Sequence, residues 1–161
     1  MKSVKKIKLL FWLSAGFIFL ASTTFLFMPL TGNVYQPKRT LTIVLGATLW
    51  LSSIASYILL IAANIERRWF IKHKTNGDLR MNCLPGIISF FSNIPATISD
   101  VVMFTSFVAF VVIAFTKWKN EYISYVLLFM FYLSLNLHCM FNGRIYKSTK
   151  FKRARRDCSY D

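Results

Sequence analysis

The stretch CLPGIISFFSNIPATISD, residues 83–100, decides how this chain sits in a membrane. It is largely apolar, yet it contains two prolines, a glycine and an asparagine, and it ends in Asp100. These residues interrupt it too often for a straight span, which needs about 20 consecutive apolar residues. We therefore expect this stretch to lie on the membrane rather than to cross it.

Apolar side chains recur in this stretch with helical spacing. The pattern predicts a short interfacial amphipathic helix over residues 84–94, which Pro85 begins and Pro95 ends or kinks. Phe90 and Phe91 would dip into the acyl boundary, where they are candidate contacts for a partner or for lipid. The apolar side of this helix consists of Ile87, Ile88, Phe90, Phe91 and Ile94.

A second helix is expected to follow at once. Ser92 or Asn93 offers an N-cap, and Pro95 then takes the first turn of a helix that continues as a membrane span. Two interpretations of residues 83–100 stay open: a bent approach to that span, or a functional interfacial or re-entrant element that grips lipid or a partner. Either interpretation puts Asp100 near the cytoplasmic boundary of the span.

The composition of the whole chain indicates an integral membrane protein. Of its 161 residues, 55% are hydrophobic and only 16% are charged, which is too little charge for a soluble domain of this size. A helix needs about 20 residues to cross about 30 Å of hydrocarbon. Four runs are long enough, and they predict a single all-α membrane domain with transmembrane helices at about 8–30, 41–63, 98–116 and 122–141.

The first run follows the basic sequence MKSVKK, as the apolar part of a signal peptide would. It is longer than the roughly 7 to 15 residues of such a region, and TTFLFMPLTG offers no small-x-small cleavage pattern. We interpret the first run as an uncleaved span.

Lys and Arg are distributed unevenly around the four spans. Of the 20 positive residues, only Lys38, Arg39, Lys117 and Lys119 flank the spans on one side. The others lie at the amino end, in the loop between the second and third spans, and in the tail. By the positive-inside rule, both termini and the middle loop are cytoplasmic, and the spans form two hairpins with short outer turns.

The tail over residues 143–161 is strongly basic. A basic cluster next to a span attracts anionic lipid, at about 1 kcal/mol per residue near the surface. No aromatic stacking platform or recognition motif accompanies it, so we do not expect nucleic acid as a partner. Abundant Lys, Ile and Asn with few Gly and Ala suggest an AT-rich bacterial genome, which makes the plasma membrane the expected location.

Polar and ionisable side chains collect near the predicted cytoplasmic ends of the spans. Such groups are costly in hydrocarbon, so they usually face other helices and find partners. They predict either ion pairs and amide hydrogen bonds that hold this end of the bundle together, or a small polar cavity for an ion, a proton or a headgroup. The candidate polar cluster consists of Asn64, Glu66, Asp100, Asn136 and His138.

Small residues mark helix faces that approach one another closely. The first span carries Ser14 and Gly16, and the second carries Gly46 and a small-xxx-small pair at Ser52 and Ser56. These residues predict packing within the bundle or, alternatively, a homo-oligomer interface.

One candidate enzymatic pairing joins His73 and Cys83 in the loop between the second and third spans. A histidine can activate a thiolate, which would give a membrane thiol peptidase. In order and topology this pair resembles the autoinducer-peptide processing peptidases of Gram-positive quorum systems, over these two residues alone. There is no CxxC, Walker, HExxH or GxGxxG motif, and we expect no cofactor and no metal.

The leading hypothesis is a non-enzymatic membrane component, of an accessory or immunity type, that binds a membrane partner, a peptide or lipid. The alternative is a small transporter or channel in which the candidate polar cluster lines a cytoplasmic vestibule. The thiol peptidase is the third hypothesis. Loss of flux in Asp100→Asn would favour transport, and loss of activity in Cys83→Ser would favour the peptidase.

Overall fold

The computed structural model describes residues 2–31, 39–74, 90–116, 121–143 and 145–146. Over these ranges the chain is helical and contains no strand, which confirms the all-α prediction. The helices are α1 (Lys2–Phe27), which continues as a 3₁₀ turn (Met28–Thr31), α2 (Arg39–Lys74), α3 (Ile94–Phe115) and α4 (Glu121–Phe141).

Each of these four described helices is long and apolar enough to cross a membrane, so the chain is a multi-pass membrane protein. At 1.5 Å per residue, the 22 residues of α3 extend about 33 Å, close to the hydrocarbon thickness of about 30 Å. The 36 residues of α2 extend about 54 Å, which is well beyond it. The helix therefore continues past residue 63, where the predicted second span ends, through Asn64 and Glu66 to Lys74.

Helix α3 begins where an N-cap was predicted. Asn93 has extended backbone angles, with φ −164° and ψ 162°, and its side-chain oxygen accepts a hydrogen bond from the Ala96 N–H at 3.1 Å. Pro95 lies in the first turn, where a backbone N–H has no acceptor within the helix, so the absence of an N–H in proline costs no hydrogen bond. Ser92 and Asn93 were the two predicted N-caps, and the structure has Asn93 in that position.

The predicted interfacial helix over residues 84–94 is wrong at its carboxyl end. Residues 90–93 are not helical, and Phe91 has a φ of 53°, in the left-handed region. The reason is local: an N-cap residue must be extended, so the chain cannot run as one helix through Asn93 into α3. Residues 84–89 of the prediction lie outside the described part of the chain.

Helix α1 packs against both α2 and α4, and α3 packs against α4. Two contacts fix the antiparallel register of α1 and α2. The Ser14 and Ser56 hydroxyls lie 2.7 Å apart, and Lys6 Nζ lies 2.9 Å from Glu66 Oε2. Each serine hydroxyl also hydrogen-bonds the other residue's carbonyl, at 3.0 and 3.1 Å. Small residues thus bring these two helices together, although a Cβ added at Gly16 or Gly46 would meet open space.

Side-chain hydrogen bonds connect α2 to α4. The Tyr132 hydroxyl lies 2.8 Å from the Ser53 hydroxyl, and the Tyr57 hydroxyl donates to Asn136 Oδ1 at 3.0 Å. Polar groups inside a bilayer need protein partners because lipid tails offer none. These contacts, together with the packing of α1 on α2 and on α4, give α1, α2 and α4 a shared interior.

The main apolar core lies where α1, the start of α3 and the end of α4 meet. The Phe11 ring contacts the rings of Phe141 and Tyr146, with centroids 6.1 and 5.6 Å apart. Because this core joins three helices, it holds the start of α3 at the level of the end of α4. Its buried members are Phe11, Ile18, Ala96, Met140, Phe141 and Tyr146.

Candidate functional site

A buried Asp–His pair lies directly beside this core. Asp100 stands in the second turn of α3 and His138 in the last turn of α4, and their side chains have relative exposures of 0% and 3%. One carboxylate oxygen, Oδ1, pairs with His138 Nδ1. The other, Oδ2, accepts a hydrogen bond from the backbone N–H of Phe91 at 2.7 Å. Both oxygens of the carboxylate are therefore engaged by the protein.

One proton lies between Asp100 Oδ1 and His138 Nδ1, because two bare acceptors do not hydrogen-bond each other. Nδ1 is therefore already engaged by Asp100. Asn142 Nδ2 lies 3.0 Å from Nδ1 and 3.1 Å from the His138 carbonyl oxygen, and an amide nitrogen only donates. The carbonyl is consequently its acceptor, which ties Asn142 to the end of α4.

Residues 90–93, which we call the docked segment, are held against the end of α4. The Ser92 hydroxyl donates to Asn142 Oδ1 at 2.5 Å, and Asn93 Nδ2 donates to the Phe141 carbonyl at 3.0 Å. Together with the bond from Phe91 N–H to Asp100, these contacts fix the backbone of a non-helical stretch. Among the described residues, no buried side-chain nitrogen or oxygen lacks a hydrogen-bond partner.

The docked segment presents two aromatic rings. Phe90 lies over the His138 imidazole, with ring centroids 4.7 Å apart and planes inclined by 31°. Phe90 is 44% exposed and Phe91 is 56% exposed. Phe91 adopts its positive φ although it is a bulky residue, and such strain persists only where surrounding contacts impose it. The contacts here are those of Asp100 and Asn142.

The structure brings together two of the five residues in the candidate polar cluster, Asp100 and His138. Asn136 lies on another side of α4, where it bonds Tyr57 and donates to the Tyr132 carbonyl at 2.8 Å. Glu66 pairs with Lys6, and Asn64 lies half-buried on α2. The five residues therefore do not form a single site.

Three residues of the network were not in the predicted cluster: Ser92, Asn93 and Asn142. The sequence predicts Ser92 and Asn93 only as alternative helix caps. Asn142 had a readable signal, because a residue four positions after His138 lies on the same helix face. The contact of Ser92 with Asn142 joins residues 50 positions apart, and no local pattern reveals it.

The described residues hold no group of three or more His, Cys, Asp or Glu side chains that could bind a metal ion. Cys83 and the side chain of His73 lie outside the described part of the chain, so the thiol-peptidase pairing stays a prediction. The site consists of a carboxylate–imidazole pair in which both carboxylate oxygens have protein partners. One of these oxygens binds the backbone N–H of Phe91, which has a positive φ.

Comparison with known proteins found no matching family model, no matching curated protein and no matching solved structure. The functional conclusion therefore rests on the geometry of the docked segment and the buried pair beneath it.

Proposed function

We propose that this chain is a non-enzymatic, accessory or immunity-type component of a bacterial plasma membrane that binds a second membrane protein through its docked segment. Both termini are cytoplasmic, and the four helices form two hairpins. The uneven distribution of Lys and Arg supports this topology, as does the antiparallel register of α1 and α2.

The observation that carries the proposal is the fixed presentation of Phe90 and Phe91. Exposed aromatic side chains are common anchors in protein recognition, and a rigid backbone reduces the entropy lost on binding. Here a left-handed Phe91 is held by a buried carboxylate, and an exposed loop needs no such support merely to connect two helices. The network keeps the two rings in one orientation at the start of α3.

The test is capture of the partner from native membrane in mild detergent, with quantitative mass spectrometry of bound proteins and lipids. We expect Phe91→Ala to reduce the recovered partner by tenfold or more and Phe91→Leu to reduce it less. The matched control is Phe115→Ala, which removes an 88% exposed ring from the opposite end of α3. Equal recovery with Phe91→Ala and with the wild type, or recovery of lipid alone, would contradict the proposal.

Transport is the second candidate, because a buried ionisable pair within membrane-spanning helices marks an ion or proton pathway by default. Asp100 and His138 form such a pair. The geometry argues against transport, because both carboxylate oxygens of Asp100 already have protein partners. Flux measured in proteoliposomes decides it: a transporter loses flux in Asp100→Asn, while a partner-binding protein shows no flux to lose.

Two further expectations complete the proposal. The basic tail contacts anionic lipid, and residues 84–89 lie along the membrane surface before the docked segment, as their apolar pattern suggests. The thiol peptidase would replace this account if Cys83→Ser or His73→Ala alone abolished a peptide-processing activity.

A further inference from the structure

The helix faces that carry Asp100 and His138 continue along α3 and α4 as aromatic rings. Phe107 lies seven residues after Asp100, and Phe131 lies seven residues before His138, so each ring shares a helix face with its member of the buried pair. The two ring centroids are 5.6 Å apart. The antiparallel helices therefore keep one register from the buried pair to this ring contact.

The docked segment joins these rings at the start of α3. The Phe90 ring contacts the rings of Phe91 and Phe104, with centroids 6.3 and 5.8 Å apart. Phe104 lies three residues before Phe107, so the two rings are neighbours on the helix surface. The rings of the docked segment, α3 and α4 together form what we call the aromatic strip: Phe90, Phe91, Phe104, Phe107 and Phe131.

The aromatic strip extends from the docked segment into the membrane-spanning part of α3. At 1.5 Å per residue, Phe104 and Phe107 lie about 15 and 20 Å from the first residue of this helix. Both rings are about half exposed. Hydrocarbon is about 30 Å thick, so this part of the strip lies at a depth that a protein bound to the membrane surface does not reach.

The exposed surface of α3 has two chemically different sides. Phe104 and Phe107 lie on the side that faces α4 and the docked segment. Lipid chains are satisfied by aliphatic groups, whereas rigid aromatic rings are enriched where proteins contact each other. The other exposed side chains of α3 from residue 98 to residue 112 carry no ring: Ile98, Val101, Thr105, Val108 and Val112.

We propose that the aromatic strip packs against an apolar transmembrane helix of the partner protein. This inference rests on the proposed function, because the docked segment forms one end of the strip. The contact of Phe90 with Phe104 makes the surface continuous from Phe91 into the hydrocarbon. A single segment that follows it there must satisfy its own backbone hydrogen bonds, as a helix does. The partner is then a membrane-spanning protein and not a peripheral one.

The experiment is photocrosslinking in native membrane from benzoylphenylalanine at position 104 or 107, with position 91 as the reference. The reagent replaces one ring by another at all three positions. The matched controls are positions 98 and 105, which are exposed on the same helix and rotated by at least about 100° from both rings. We expect one protein to be captured from positions 91, 104 and 107, with yields at least about fivefold lower from the controls, which face away.

The outcomes separate this inference from the proposed function. A protein adduct at position 91 with only lipid adducts at 104 and 107 would overturn the inference and leave the proposed function standing. Equal protein yields at the ring and control positions would overturn it too. Protein adducts at 104 and 107 without one at 91 would contradict the proposed function and leave the strip as the contact surface. No protein adduct at any position would contradict both.

A substitution gives an independent check. Phe107 packs on Phe131, one turn beyond the contact between Phe90 and Phe104, so Phe107→Ala leaves that contact in place. We expect Phe107→Ala to lower the partner recovered in mild detergent by about threefold or more. Val108→Ala, which shortens an exposed aliphatic side chain next to it, should leave recovery unchanged. Recovery from Phe107→Ala equal to that from Val108→Ala would overturn the inference.

Discussion

The two helix pairs of this protein use different polar contacts to hold themselves together. Between α1 and α2, Ser14 and Ser56 exchange neutral hydrogen bonds that, within the described residues, involve no other segment. Between α3 and α4, Asp100 and His138 form an ionisable pair that also binds the backbone of Phe91. The neutral contact can do no more than join two helices, whereas the ionisable contact also determines the conformation of residues 90–93.

The largest difference between the two contacts should appear when one partner is removed. In His138→Leu, Asp100 is left buried without its main partner, and we expect the free energy of unfolding to fall by about 3–5 kcal/mol. The measurement is reversible unfolding in mixed micelles. The double variant Asp100→Leu, His138→Leu removes both groups and should recover most of this loss. A double variant as unstable as the single one would show that the cost is packing rather than an unpaired charge.

Replacing the carboxyl group by an amide should have a smaller effect that is concentrated in the docked segment. Asp100→Asn keeps one oxygen in place of two, so it cannot bind Phe91 N–H with one oxygen and His138 Nδ1 with the other, as Asp100 does. We expect a loss of about 1–3 kcal/mol and faster hydrogen exchange at residues 90–93 than in the wild type. Exchange that rises equally along the whole of α3 would contradict a local role for the carboxylate.

Removing the contact between Ser14 and Ser56 should lower the free energy of unfolding by less. A double-mutant cycle with Ser14→Ala and Ser56→Ala should give a coupling energy of about 0.6–1 kcal/mol, since hydrogen bonds between membrane helices are worth about that much. Exchange at residues 90–93 should stay unchanged in these variants. The matched control is Thr105→Ala, because its exposed hydroxyl donates to carbonyls of its own helix. A coupling of several kcal/mol would make the two contacts equivalent and weaken the comparison.

The smallest expected effect is a gain in stability from a substitution at Gly46. Gly46 lies inside α2, and a methyl group added there would meet no atom within 4 Å. Gly46→Ala should therefore stabilise the helix by about 0.5 kcal/mol through reduced backbone freedom in the unfolded chain. A loss of stability would indicate that Gly46 packs against a second copy of the chain, the homo-oligomer that its small size also suggested.

Much of the fold could be predicted from the lengths of the apolar runs and from the residues that cap a helix. Hydropathy indicated the four membrane-spanning helices, and Asn93 with Pro95 gave the start of α3. The sequence did not predict the docked segment, because the helical spacing of apolar residues 87–94 reports only on neighbouring positions. The capture of Phe91 N–H by Asp100, nine residues later, depends on tertiary contacts that periodicity cannot show.

The candidate polar cluster was predicted only in part, because its members were grouped by their expected depth in the membrane and not by the helix face on which they lie. Successive residues of a helix are rotated by about 100°, so Asn136 and His138 point about 200° apart and cannot share a face. The same holds for Asn64 and Glu66. Asn142, rotated only about 40° from His138, satisfies the angular condition and lies in the network. Angular position combined with depth would have favoured Asn142 over Asn136.

We propose that the buried pair holds Phe91 where a membrane partner meets it. The most direct measurement is photocrosslinking in native membrane from benzoylphenylalanine at position 91, in the wild-type background and in the double variant Asp100→Leu, His138→Leu. We predict a specific protein adduct in the wild-type background and its loss in the double variant, even though that variant remains folded. The same adduct at equal yield in both backgrounds, or no protein adduct in either, would contradict the account.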